Sequence, residues 1–117
     1  MKMKEHSFHT VVLKGRNREK KKVTVAFSDD SYDLVSEFIN GELESFHQEI
    51  CEELNRMKED GIQARFTGNR ISFAADQHRT LIYEDNETEM RWCEIDTDEF
   101  IALIAEWQSE RNKSQEE

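Results

Sequence analysis

A chain of 117 residues is long enough for one domain with a hydrophobic core but too short for two. Its 26 acids and its 16 lysines and arginines give a formal net charge of −10, which disfavours general binding to nucleic acid or to an anionic membrane, because both surfaces would repel it. No apolar run approaches the roughly 18 residues of a membrane span, and the first residues lack the apolar core of a signal peptide, so we expect a cytoplasmic protein.

The first predicted element is a β-hairpin with a basic loop. Residues alternate in character from His6 to Leu13, and apolar residues alternate again from Val23 to Phe27. The basic loop between these strands has two interpretations: it could contact phosphate groups, or it could be a solvated hairpin tip that keeps edge strands from pairing. The bases concerned are Arg16, Arg18, Lys20, Lys21 and Lys22.

A long helical region follows, from Ser31 to Lys58. Its apolar residues recur every three or four positions, which is typical of a helix with one core-facing side, and Gly61 suits the left-handed position that ends a helix. Asn40-Gly41 interrupts the pattern, because glycine inside a helix costs about 1 kcal/mol relative to alanine. We therefore predict two helical segments, about 31–40 and 42–59.

Glutamates occupy the opposite side of this helical region. Residues 29–60 contain eleven acids and two bases, a local net charge of −9. Such a charge run is either a solvated helix face or a docking surface for a basic partner. The candidate partner-binding residues are Glu37, Glu44, Glu49, Glu52, Glu53 and Glu59.

The rest of the chain predicts further strands and a final helix. Apolar residues alternate between Ile62 and Ile95, with turn residues at Gly68-Asn69 and Asp85-Asn86, and a helical stripe follows Asp96. The order ββ-α(α)-βββ-α predicts a single α+β domain over 1–117 with a polar tail from about 112 to 117. We expect a mostly antiparallel five-stranded sheet with the helices packed on one face. Both tryptophans, Trp92 and Trp107, fall in register with apolar residues and are predicted to lie in the core.

The residues that could support chemistry do not form a recognisable catalytic or metal-binding pattern. His6 and His9 point to opposite faces of a strand, and a cluster of Glu44, His47 and Cys51 would offer only one helical turn to a metal ion. The sequence has no phosphate-binding loop, nucleophile elbow or HExxH motif. We therefore predict no enzymatic activity, no catalytic residues, no metal site and no cofactor.

The closing segment EIDTDEFIALIAEWQ, an acidic start followed by a short amphipathic helix ending in Trp, and the acidic region 29–60 resemble bacterial immunity proteins that neutralise polymorphic or contact-dependent toxins. This resemblance implies a small acidic inhibitor that binds a cognate toxin, often a basic nuclease, one to one. Two alternatives remain open. One is a regulatory module that binds nucleic acid through the basic hairpin loop, and the other is a homo-oligomer in which the basic hairpin of one subunit meets the acidic helix of another.

Overall fold

The computed structural model describes residues 5–15, 18–85 and 89–116, with side chains for 5–12, 21–84 and 89–113. The predicted α+β class is confirmed. A 3-10 turn at Asp30–Tyr32 and a π-helical segment at Phe38–Leu43 accompany the regular elements. In chain order, the β-strands and α-helices are β1 (His6–Gly15), β2 (Arg18–Phe27), α1 (Asp33–Glu37), α2 (Glu44–Asp60), β3 (Ala64–Phe66), β4 (Ser72–Ala75), β5 (Arg79–Asp85), β6 (Met90–Asp96) and α3 (Thr97–Glu116).

The described strands form two antiparallel sheets rather than one. β1 pairs only with β2, and the other four strands form a sheet in the order β3-β4-β5-β6. The predicted single five-stranded sheet is therefore wrong. The described strands number six rather than the predicted five. The connection between β4 and β5 is a tight turn in which the Asp76 carboxylate accepts hydrogen bonds from the backbone N–H groups of His78 and Arg79.

The helical region between the sheets is continuous but irregular. An Asp29 carboxylate oxygen accepts the Ser31 backbone N–H at 2.9 Å at its start, and Gly61 ends it with a φ of 71°. The predicted break at Asn40-Gly41 takes the form of the π-helical segment, and Phe46, with φ −128° and ψ 29°, bends the chain just after it. The glycine thus marks a change of helix type rather than an interruption.

Apolar side chains from both sheets and from the helices share one hydrophobic core. Phe38 lies near its centre, with ring centroids 5.8 Å from those of Phe73 and Phe100. Trp107 is fully buried, as predicted. Trp92 is 63% exposed, so its predicted place in the core is wrong. Its strand turns the alternate residues Cys93 and Ile95 towards the helices instead.

The four-stranded sheet therefore has one covered and one open face. The covered face carries buried residues such as Phe73, Ile82 and Ile95, which contact the helices through the core. The open face carries the alternate residues, among them Trp92 and Met90, which is 56% exposed. An antiparallel sheet tolerates one solvated face, but that face usually carries polar residues.

Candidate partner-binding surface

Helix α2 is the element that holds most of the predicted site. Ile50, Leu54 and Met57 are buried in the core and fix one side of this helix. Because α-helical positions repeat every 3.6 residues, the side opposite these anchors must face solvent. The predicted glutamates of α2 can therefore be divided by how much of each remains exposed.

Three of the predicted glutamates, Glu49, Glu52 and Glu59, are exposed on the outer side of α2, and Asp60 lies beside Glu59. Their spacing of three and seven residues places Glu49, Glu52 and Glu59 along one side of the helix. Within the described part of the chain none of these four acids forms an ion pair, although Glu52 accepts a hydrogen bond from Gln48 at 3.3 Å. We call these four residues the acidic face.

Glu53 and Glu44 are less available to a binding partner than the four residues of the acidic face. Glu53 forms an ion pair with Arg56 and accepts the backbone N–H of Arg65 at 3.2 Å, so it ties α2 to the edge strand β3. The Arg56 guanidinium is the main reason that the pKa of Glu53 lies below its usual range. Glu44 is half-buried, and one of its carboxylate oxygens is fully covered without a hydrogen bond to any described residue.

Glu37 belongs to a charged cluster that joins α1 to the four-stranded sheet. It forms ion pairs with Arg91 and with Arg70 (2.7 Å), and both arginines also bind the largely buried Glu84, at 3.0 Å and 2.7 Å. Hydrogen bonding from Arg91 is the main cause that holds the pKa of Glu37 below 4.5. The Glu37 carboxylate is therefore bound by arginines from other parts of the chain and does not belong to the exposed side of α2.

A shallow open groove of about 340 Å³ lies next to the acidic face, where Phe46 departs from helical geometry. Its lining includes His47, Glu49 and Glu52. The His47 ring nitrogen Nε2 lies 3.2 Å from a guanidinium nitrogen of Arg111, which stacks over Trp107 at 5.4 Å from the ring centroid. The π-helical segment Phe38–Leu43 ends just before Phe46, and segments of that type are frequent at functional sites.

The alternative basic surface falls mostly outside the described side chains. Lys21 is exposed and Lys22 half-exposed on β2. The backbone of Arg18 and Lys20 lies in β2, opposite Gly15 and Leu13 of β1, but their side chains lie outside the described residues, as does the whole of Arg16. The structure therefore does not bring these five bases together into a described site.

Two features of the surface were not predicted from the sequence. Glu42 is only 7% exposed, and its carboxylate accepts the backbone N–H groups of Asn69 (2.9 Å) and Arg70 (3.3 Å), so it holds a loop rather than facing solvent with the other glutamates. Trp92 and Met90 stand on the open sheet face. The alternation of β6 did show that these two share a face, but not which face the helices cover.

Comparisons with protein families, with curated proteins and with solved structures found no match to this chain. No helix in the described ranges combines the length and the apolar character needed to cross a membrane. In the same ranges, no three His, Cys, Asp or Glu side chains are grouped closely enough to hold a metal ion.

Proposed function

We propose that this protein is an acidic inhibitor, of the immunity-protein kind, that binds a basic, nuclease-like toxin one to one through helix α2. The observation that carries this proposal is the acidic face: Glu49, Glu52, Glu59 and Asp60 project from one rigid helix and have no ion-pair partners within the described part of the chain. Because the helix backbone is already ordered and no existing ion pair must be broken, binding through these carboxylates costs mainly the freedom of their side chains.

Charge complementarity explains how this face would act on such a toxin. An enzyme that cleaves nucleic acid tends to carry a positive cleft, and an acidic helix can occupy that cleft in place of the phosphate backbone. Complementary charge raises the association rate above the ordinary range of about 10⁵–10⁶ M⁻¹s⁻¹ and makes it depend on salt. Glu53, paired with Arg56 and hydrogen-bonded to the Arg65 backbone N–H, holds α2 against β3 beside this face.

The proposal is tested first by recovering the partner. A tagged form of this protein, expressed in its native cell and purified at low and moderate salt with nuclease-treated controls, is expected to retain one basic protein in stoichiometric amount. Recovery of nucleic acid that disappears on nuclease treatment would instead favour binding through the basic hairpin.

Charge reversal then tests the surface itself. Changing Glu49, Glu52 and Glu59 to Lys is expected to slow association with the recovered partner by at least about tenfold and to flatten its salt dependence. The matched control changes Glu5, Asp30 and Glu110 to Lys, which alters the net charge equally on other parts of the surface. Equal effects of the two triple variants would contradict the proposed role of α2.

A further inference from the structure

The open face of the four-stranded sheet is more apolar than a solvated face requires. Trp92 is 63% and Met90 56% exposed, and Leu81 and Tyr83 beside them on β5 are half-exposed. Large exposed apolar side chains grouped on one surface mark interaction sites, and Trp, Tyr and Met are enriched at the centres of protein interfaces. The composition of this face therefore indicates that another molecule covers it.

One row of residues across this face has a charge at each end. The strand register aligns Arg65 of β3 with Ala74 of β4, Ala74 with Leu81 of β5, and Leu81 with Glu94 of β6. Arg65 and Glu94 are both exposed, and neither forms an ion pair with another described residue. With strands about 4.8 Å apart, the two ends of the row are about 14 Å from each other.

This row is complementary to itself. A two-fold axis parallel to the strands, passing between β4 and β5, places β3 of one copy opposite β6 of the other in two facing sheets. It brings Arg65 of each copy opposite Glu94 of its partner, and the small Ala74 opposite the larger Leu81. An interface formed by the same patch on both subunits requires this kind of self-complementarity.

The neighbouring row fits the same arrangement. It consists of Ser72, Tyr83 and Trp92, and it has no member on β3 because that strand ends at Phe66. Under the same two-fold axis, Tyr83 of one copy faces Ser72, which is only 8% exposed and whose hydroxyl oxygen accepts the Gly68 backbone N–H at 3.2 Å. Trp92 of one copy faces the turn that follows β3 on the other copy. Facing sheets pack about 10 Å apart, so the large Trp92 and Tyr83 side chains would fill the space between the two sheets.

We propose that two copies of this chain form a symmetric dimer through the open faces of their four-stranded sheets, with Trp92 as the largest apolar anchor on each copy. The face is small, since β3 and β4 have only three and four residues, so the interface falls at the weak end of specific association. Helix α2 lies outside this face, and the acidic face of each copy remains accessible in the dimer. The dimer therefore does not depend on the inhibitor proposal.

Exchanging the charges at Arg65 and Glu94 tests the symmetry of the dimer directly. Sedimentation of the purified protein from micromolar to about 1 mM concentrations is expected to show a monomer–dimer equilibrium. Arg65→Glu and Glu94→Arg each place like charges across the axis at two symmetric positions, so each is expected to raise the dissociation constant at least about tenfold. The double variant restores opposite charges and is expected to recover most of the lost affinity.

Two further variants separate this dimer from other modes of association. Trp92→Ser is expected to weaken the dimer more than either charge change does, because it removes the anchor. Glu52→Lys, on the acidic face, is the control and leaves the dimer unchanged. A monomer at every concentration would overturn the proposal, as would dissociation caused by Glu52→Lys or a double variant no tighter than the single ones. Loss of binding to a recovered toxin on Trp92→Ser, with the free protein monomeric, would assign this face to that toxin instead.

Discussion

The side-chain amide of Asn40 pairs with the backbone of Val25 as a neighbouring strand would. Its oxygen accepts the Val25 N–H at 2.8 Å, and its nitrogen donates to the Val25 carbonyl oxygen at 3.1 Å. Two residues away, the Trp107 indole N–H donates to the carbonyl oxygen of Val23 at 3.2 Å. Side chains from the π-helical segment and from α3 thus satisfy the edge of β2, which attaches the hairpin to the rest of the fold without a third strand.

This arrangement predicts a large effect of Asn40→Ala. The variant leaves the N–H and carbonyl groups of Val25, a residue only 2% exposed, without their partners, and each unsatisfied buried group costs about 1–3 kcal/mol. We expect the free energy of unfolding to fall by about 2–4 kcal/mol in urea denaturation. Asn55→Ala, at an exposed position of α2, is the control and is expected to change it by less than about 0.5 kcal/mol. Similar losses in both variants would argue against the pairing.

The same pair of residues explains why the sheet organisation could not be predicted. Periodicity identified the α+β class and the two regions that fold as helices, because alternation and helical spacing are local properties. Which strand edges pair is a long-range property. Asn40 in the sequence indicates only a poor helix former, and nothing local shows that its amide takes the place of a strand beside Val25.

The candidate site, like the sheet organisation, could be predicted from the sequence only in part. The helical spacing correctly gathered Glu49, Glu52 and Glu59 on one side of α2. Glu37 was grouped with them from the same pattern, but it binds Arg91, which lies 54 residues further along the chain. A contact of that range leaves no local trace in the sequence, so an ion-paired carboxylate and a solvated one look alike.

Two glycines predict opposite outcomes when changed to alanine. A Cβ at Gly68 would collide with the Glu42 carboxylate and with the backbone carbonyl oxygen of Ile71, whereas a Cβ at Gly41 meets no atom within 4 Å. We expect Gly68→Ala to lower the thermal midpoint, because the loop must separate from the buried carboxylate that holds it. Gly41→Ala is expected to stabilise the protein by about 0.4–1 kcal/mol by restricting the unfolded chain. A stable Gly68→Ala variant would contradict the described contact.

Stability is expected to fall in acid. The pKa values of Glu37, Glu53 and Asp76 are lowered in the folded protein, the first two mainly by arginine hydrogen bonds and the third by backbone N–H groups. A carboxyl group with a lowered pKa stabilises the fold above its unfolded pKa, about 4, and this contribution is lost as the pH falls through the folded pKa. Urea midpoints measured between pH 6 and pH 3 should therefore decrease, and less steeply in Glu37→Gln. If the urea midpoint of Glu37→Gln fell with pH as steeply as that of the unchanged protein, the Glu37 carboxylate would not contribute to this acid dependence.

Tyr32 predicts a second pH dependence at the alkaline end. Burial, followed by the nearby Glu99 carboxylate, raises its pKa from 10.0 to about 12. The folded protein therefore keeps the Tyr32 proton where the unfolded chain releases it, so the stabilisation is complete below pH 10 and is lost as the pH rises towards 12. We expect the free energy of unfolding to decrease over this interval, and Tyr32→Phe to reduce that decrease. Absorbance titration of the phenols checks the pKa directly, since Tyr32→Phe should remove the later-ionising group.

The two tryptophans offer a fluorescence test of both the fold and the proposed dimer. Trp107 is fully buried, whereas Trp92 is 63% exposed on the open sheet face. In dilute Trp107→Phe, the remaining Trp92 is expected to emit at long wavelength and to be quenched readily by acrylamide, while the Trp107 emission of Trp92→Phe is blue-shifted and protected. Raising the concentration should shift Trp92 towards the blue, because dimerisation covers it, and Glu94→Arg should suppress that shift. A Trp92 signal independent of concentration, in a sample that sedimentation shows to be dimeric, would place the dimer contact on another surface.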